Sequence, residues 1–160
     1  MKIWAHRGCS QRYPENTLLA FERAAEIKGL EGIELDIQLT RDGHLAVCHD
    51  ERVDRTTDGI GEVRQHTLAE LKKLKIDAGN GKYERIPTME EVLDLLTALN
   101  RNGQSILMVT HDMRAAVRGN RLLYLEDGKL LDQLSLPPYE EAEIKQREAM
   151  VSQWLSNLQW

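Results

Sequence analysis

A chain of 160 residues with a formal net charge of -5 is long enough for one ordinary domain with a real core and too short for two of typical size. The acidic balance, with a pI near 5.6 and no basic run, argues against a general nucleic-acid binder. Hydrophobic residues make up 41% of the chain, as in a soluble globular protein, and no apolar run approaches the roughly 18 residues of a membrane span.

Lys2 to His6 reads as a short strand, ended by Arg7-Gly8, where glycine allows a turn that a side chain would hinder. Pro14 and Asn16 introduce a helix with Asn16 as its expected cap and with Leu18, Phe21 and Ala25 on one face; it stops near Gly29. Over residues 33 to 37 the chain alternates, putting Ile33, Leu35 and Ile37 on one face of a strand and Glu34 and Asp36 on the other. Both carboxylates therefore point the same way. A solvated face is the ordinary reading of such acids. A tight turn, Arg41-Asp42-Gly43, leads into a further strand, His44 to His49, which ends in another titratable group. Two acids at i and i+2 with a histidine nearby suit a hard divalent cation held by oxygens, beside a proton donor that titrates near neutral pH.

Strand, helix, strand implies a right-handed crossover and a parallel sheet. The link to the strand ending at His49 is too short to hide a helix, and a hairpin is its local alternative. A polar, glycine-containing loop runs from Asp54 to Gly61. Thr67 with Glu70 makes a capping box for a helix carrying Leu68, Leu71 and Leu74, and Thr88 with Glu91 makes another for Met89, Val92, Leu93, Leu96 and Leu99. In parallel α/β folds functional groups collect at the carboxyl ends of strands. His6, Glu34 with Asp36, and His49 all fall at or near such ends.

Cys9 and Cys48 have no short metal-type spacing, so a reduced compartment is expected. With the first strand starting at Lys2, no room is left for a signal peptide, and a cytoplasmic protein is expected.

The ordered motifs His6-Arg7-Gly8, Pro14-Glu15-Asn16-Thr17, Glu34-x-Asp36, Thr40-x-Asp42-Gly43, His49-Asp50 and Arg55-Thr56-Thr57 closely resemble the glycerophosphodiester phosphodiesterase family. The likeness continues through Thr67 to Leu74 and Ile86 to Leu93, and marks residues 1–98 as a truncated domain of that kind. It implies a (β/α)8 barrel hydrolase that uses a divalent metal, often Ca2+ or Mg2+, to split a small glycerophosphodiester into an alcohol and glycerol 3-phosphate. By the same resemblance Glu34 and Asp36 are metal ligands, Arg7 holds a phosphate oxygen, and His6 and His49 are general base and general acid. A full barrel needs roughly 200 residues or more, and no further Glu-x-Lys strand follows. A partial barrel, with activity impaired by the truncation, is therefore expected.

From about Ala98 the chain changes character. Asn100 to Gly103 reads as a loop, Ser105 to Thr110 as a buried strand, then His111-Asp112-Met113, an alanine-rich helix, and two strands, Arg121 to Leu125 and Lys129 to Leu131, about the turn Glu126-Asp127-Gly128. This order resembles the C-terminal end of ATP-binding cassette ATPases, with His111 at the switch histidine, over residues 99–160. No Gly-rich phosphate loop or signature motif accompanies it. Past Pro137-Pro138, Val151, Trp154, Leu155 and Leu158 recur at helical spacing, which predicts an amphipathic C-terminal helix. Ser105 to Thr110 could stand where a fourth barrel strand belongs, bringing His111 and Asp112 to the metal face. The competing function is a non-catalytic α/β fragment that self-associates through an exposed sheet edge and the C-terminal helix.

Overall fold

The computed structural model describes residues 3–110 and 112–158. The chain divides into two compact units, Met1–Leu99 and Asn100–Trp160.

Unit 1 opens with a βαβ motif. Strand β1 (Trp4–His6) pairs parallel with β2 (Gly32–Glu34), and α1 (Leu18–Ala25) lies between them in sequence. Ala20, Phe21 and Ala24 are the buried face of α1. Its N-cap is Thr17, not Asn16: the Thr17 hydroxyl accepts from the Ala20 amide at 3.2 Å. Asn16 has a left-handed backbone (φ 56°) and spends its side chain elsewhere.

The strand expected over 33 to 37 is broken. β2 stops at Glu34, Leu35 and Asp36 lie outside any strand, and β3 (Ile37–Leu39) turns back with β4 (Leu45–Val47) as an antiparallel hairpin. The cause is a change of pairing partner, from β1 on one side of the break to β4 on the other. Ile33 and Leu35 still pack on the cluster of Phe21, Val47 and Val92, whereas Ile37 ends up 49% exposed.

A capping box starts α2 (Leu68–Leu71) as expected, with Thr67 and Glu70 satisfying each other's amides, but the helix ends before Leu74. Leu74 nonetheless packs against the second cluster, Ala46, Cys48, Val53, Val63, Leu71, Ile76 and Ile86. After the short antiparallel pair β5 (Ile76–Asp77) and β6 (Tyr83–Glu84), Thr88 and Glu91 reciprocate as a second box at the head of α3 (Met89–Arg101). The fold is mixed α/β. One parallel βαβ unit is consistent with the opening of a barrel, while the other described strand pairs are antiparallel and every described sheet has two strands.

Unit 2 departs from expectation at its start. Ser105 to Thr110 forms no strand, and Leu107 and Val109 are 84% and 94% exposed. An apolar, β-branched run becomes a strand only where a pairing neighbour and a covered face are supplied. The run therefore does not serve as a fourth barrel strand. His111 lies outside the described residues. Asp112 caps the one-turn helix α4 (Met113–Ala116), accepting from the Arg114 amide at 2.7 Å. The predicted hairpin is present and longer than expected, β7 (Arg121–Glu126) with β8 (Lys129–Ser135), reversing at Asp127-Gly128 with φ of 50° and 73° at the two positions. The C-terminal helix α5 (Ile144–Asn157) buries Val151 against Val117 and Leu136, and Trp154 donates to Asp132 at 2.9 Å with its ring edge-on to Tyr124. Buried Arg147 donates to the carbonyls of Val117, Gly119 and Pro137, each at 2.7 Å. Among the described residues no helix is long and apolar enough to cross a membrane.

Candidate active site

The site of unit 1 begins with a register. His6 is the direct partner of Glu34 in the parallel pair, so the two side chains leave the same face at the carboxyl ends of neighbouring strands. The His6 Nε2 to Glu34 Oε2 distance is 3.9 Å, beyond a hydrogen bond. His6 therefore keeps a ring nitrogen open to solvent, and its side chain is 69% exposed.

The next two residues bend sharply. Arg7 and Gly8 both take positive φ, 58° and 79°. A Cβ at Gly8 would come within 2.8 Å of the Ala20 backbone, so only glycine fits here. A non-glycine residue held in this region is strained, and such strain gathers at functional sites. The bend turns the Arg7 amide toward Glu34, donating to Oε2 at 3.2 Å, and sends the guanidinium in among carboxylates. Nη1 donates to Glu15 Oε1 at 3.0 Å, and Nε lies 3.3 Å from Asp36 Oδ2 in ion-pair contact. That buried Nε has no hydrogen-bond partner.

Asp36 is held from the other side by Asn16, whose amide donates to Oδ2 at 3.1 Å and whose carbonyl oxygen accepts from the Asp36 backbone at 3.4 Å. This contact is what displaces Asn16 from helix capping. The loop carrying it is docked on Arg7, whose carbonyl accepts from the Asn16 amide at 3.0 Å. His6, Arg7, Glu34 and Asp36 are thus brought together directly.

His49 joins them through a chain of charges. Its Nδ1 lies 2.6 Å from Asp50 Oδ1. Arg55 grips Asp50 through Nε at 2.6 Å and Nη2 at 3.1 Å, and grips Glu15 through Nη2 at 2.7 Å and Nη1 at 3.0 Å. Glu15 in turn receives Arg7. The hydrogen bond from Arg55 is the main cause holding the Glu15 carboxyl below its usual range, and the bonds from Arg55 and then His49 hold Asp50 far below it. Hydrogen bonds to Glu15 and Asp50 raise Arg55 correspondingly. Beneath the site, Cys48 is buried and its thiol is pushed up to about 11 by desolvation. It behaves as packing rather than as a nucleophile.

Glu15, Asp50 and Arg55 stand inside motifs quoted for the sequence resemblance, but nothing in their spacing announces that they meet; Glu15 and Arg55 are 40 residues apart. Three carboxylates (Glu15, Asp36, Asp50) share two guanidiniums (Arg7, Arg55), and a fourth, Glu34, takes only the Arg7 backbone amide. That excess of negative charge suits a divalent cation, and in kind the Glu34 and Asp36 oxygens are hard donors appropriate to Ca2+ or Mg2+. In number they are two: the described residues offer no group of three or more His, Cys, Asp or Glu able to hold an ion.

The glycerophosphoryl diester phosphodiesterase family model matches residues 6–135, running beyond the division between the units. A glycerophosphodiester phosphodiesterase of Caldanaerobacter subterraneus is 59% identical over 99 residues, covering 59% of this chain and 40% of the relative. The human glycerophosphodiester phosphodiesterase 1 is 38% identical over 128 residues, covering 76% and 38%. Among solved structures, an Oleispira antarctica phosphodiesterase in complex with the product sn-glycerol-3-phosphate is 38% identical with a TM-score of 0.55, covering 62% of this chain and 41% of that one. The chain spans about two fifths of the length of these relatives.

Proposed function

The chain belongs to the glycerophosphoryl diester phosphodiesterase family, and we propose that the site of unit 1 hydrolyses a small glycerophosphodiester to an alcohol and glycerol 3-phosphate. The observation that carries this reading is the clasp on Arg7: one arginine lies between Glu15, Glu34 and Asp36, beside His6 and linked to His49. A phosphodiester is anionic, and Arg7, whose guanidinium stands beside Asp36 and Glu15, is the residue to hold one of its oxygens. Glu34 and Asp36 would hold a divalent cation, Ca2+ or Mg2+, with water or substrate oxygens completing the shell. When bound, the cation offsets the phosphate charge and polarises the bond to be broken.

His6, with an open ring nitrogen, is the base that takes a proton from the attacking water as its oxygen bonds to phosphorus and the alcohol oxygen leaves. His49 is the acid. Its Nδ1 is occupied by Asp50, so the doubly protonated ring presents its Nε2 proton to the leaving oxygen and is left as the neutral Nδ1–H form. Incubation with glycerophosphocholine and Ca2+ or Mg2+, following glycerol 3-phosphate release, tests the assignment. A His6→Ala, His49→Ala double variant should lose on the order of 10²- to 10⁴-fold in rate, and chelation with EDTA should abolish release. Product no greater from the parent chain than from the double variant would refute it.

A second reading is favoured by the free edges. Every described sheet has two strands, and Leu125, Leu130 and Leu131 on the hairpin are more than half exposed. On this reading the chain is a non-catalytic fragment that self-associates as a homo-oligomer through those edges. A concentration-independent monomer mass by light scattering would remove it. The likeness of residues 99–160 to the end of a cassette ATPase rests on sequence order alone. The two unpaired cysteines, Cys9 and Cys48, support a cytoplasmic setting.

A further inference from the structure

Arg55 stands at the middle of the chain of charges, and its geometry differs from that of an ordinary surface ion pair. Isolated exposed pairs contribute little, because two long side chains must be ordered for one solvent-screened contact. Arg55 instead makes four hydrogen bonds, two to Asp50 and two to Glu15, from one planar group. A guanidinium fork fixes the directions of both carboxylates at once, which an ammonium cannot do.

Each carboxylate also holds a second group. Asp50 takes the Nδ1 side of His49, and Glu15 takes Nη1 of Arg7. The sequence Arg7, Glu15, Arg55, Asp50, His49 is continuous, with its closest contacts between 2.6 and 3.0 Å. Phosphate binding and proton donation must be in register to a fraction of an ångström for an in-line displacement to proceed. We propose that Arg55 is a positioning residue that locks the proton donor His49, through Asp50, and the phosphate-binding Arg7, through Glu15, into one register. This rests on the roles given above to His49 and Arg7.

The arrangement also fixes a tautomer. An ionised carboxylate only accepts, so the His49 nitrogen facing Asp50 must carry the hydrogen, and the neutral ring is the Nδ1–H form. A histidine side chain loose in water favours Nε2–H instead.

The test uses the full chain with isotope-labelled histidine, recording the ring nitrogens of His49 with the ring neutral, alongside kcat and KM for glycerophosphocholine with Mg2+ or Ca2+. In the parent chain His49 is the Nδ1–H form. In Arg55→Ala that share falls, further in Asp50→Ala, and kcat drops on the order of 10- to 100-fold, the usual range for groups that orient those doing the chemistry. Arg55→Lys fails to restore either readout, while added guanidinium at non-denaturing concentration partly restores both in Arg55→Ala. Glu15→Gln raises KM more than it lowers kcat, because it loosens Arg7. A folded Arg55→Ala with an unchanged His49 tautomer overturns the proposal. Should Arg55→Ala not fold, the same comparison is made between Arg55→Lys and the parent, and an unchanged tautomer there overturns it equally. A parent chain with no turnover sinks the hydrolase reading, and the tautomer measurement still decides the role of Arg55.

Discussion

Unit 1 and unit 2 each enclose an arginine, with opposite partners. Arg7 points its guanidinium at carboxylates, Glu15 and Asp36, and is tied by its own amide to Glu34. Arg147, almost wholly buried, gives its hydrogen bonds to backbone carbonyls at Val117, Gly119 and Pro137 and lies against the Tyr139 ring. Carbonyls carry no net charge and do not titrate, so Arg147 can only hold the segments it touches. Desolvation pushes it below the ordinary guanidinium value, yet it remains charged at any working pH. Carboxylates titrate, bind cations and can be traded for a phosphate, so the cluster around Arg7 is equipped for exchange. The same side chain is a clamp in one unit and part of a titrating, charged surface in the other.

The comparison breaks most visibly at Arg147. Arg147→Ala removes three short hydrogen bonds from a charged donor and leaves buried carbonyls unpaired, a loss of about 3 kcal/mol or more. Amide exchange on the full chain should show unit 2 losing protection across α5 and the β7/β8 hairpin while the capped helices of unit 1 keep theirs. Uniform loss in both units, or no loss, would show that Arg147 is not the private fastener of unit 2.

A smaller effect sharpens the contrast in how helices are started. Both α2 and α3 of unit 1 begin with reciprocal capping boxes, whereas α5 has no side-chain cap. Thr67→Ala should cost unit 1 about 1 kcal/mol, seen as a shifted urea midpoint with unchanged slope.

How far the sequence can be read follows the same division. Capping boxes are local, needing four residues and no neighbour, and both are legible. The turn at Arg7-Gly8 is legible for the same reason. The break at Leu35-Asp36 is not, because alternation continues through it and only the exchange of β1 for β4 as partner reveals it. Ser105 to Thr110 misleads because its apolar, β-branched text says what a strand could be made of and nothing about whether a second strand is there. At the site, residue type and motif are enough to nominate Glu34, Asp36, His6, Arg7 and His49. The contacts of Asn16, Glu15, Asp50 and Arg55 stay hidden, because two of their links span 20 and 40 residues of chain. Asn16 is the sharpest case. Its residue type suits a cap, and only its contact with Asp36 shows that the neighbouring Thr17 does the capping.

The finest test of the contrast is acid. Glu15 and Asp50 have folded values below the ordinary carboxylate range, with Arg55 the leading cause for both. A carboxyl whose folded value is depressed adds stability that is complete above its unfolded value, near pH 4, and disappears as pH falls through the folded value. Unit 1 should therefore lose stability below about pH 4. The Asp50 and Arg55 side chains are 29% and 50% exposed, so solvent screening limits the effect to under about 1 kcal/mol, and added salt should shrink it further. Arg55 titrates nowhere in this window, so Arg55→Ala should make the acid limb shallower by releasing both carboxyls toward their ordinary values, while carboxyls held down by other partners, such as Asp42 and Glu70, keep theirs. The carbonyls that clamp Arg147 do not protonate there. The acid response of unit 2 should therefore be limited to carboxylates such as Asp112, which Arg114 holds below its usual range, and the amides around the Arg147 clamp should keep their protection. Equal acid sensitivity in the parent and in Arg55→Ala would mean that the bridge between Glu15 and Asp50 is loose in solution, and the distinction between a titrating cluster and a fixed clamp would lose its basis.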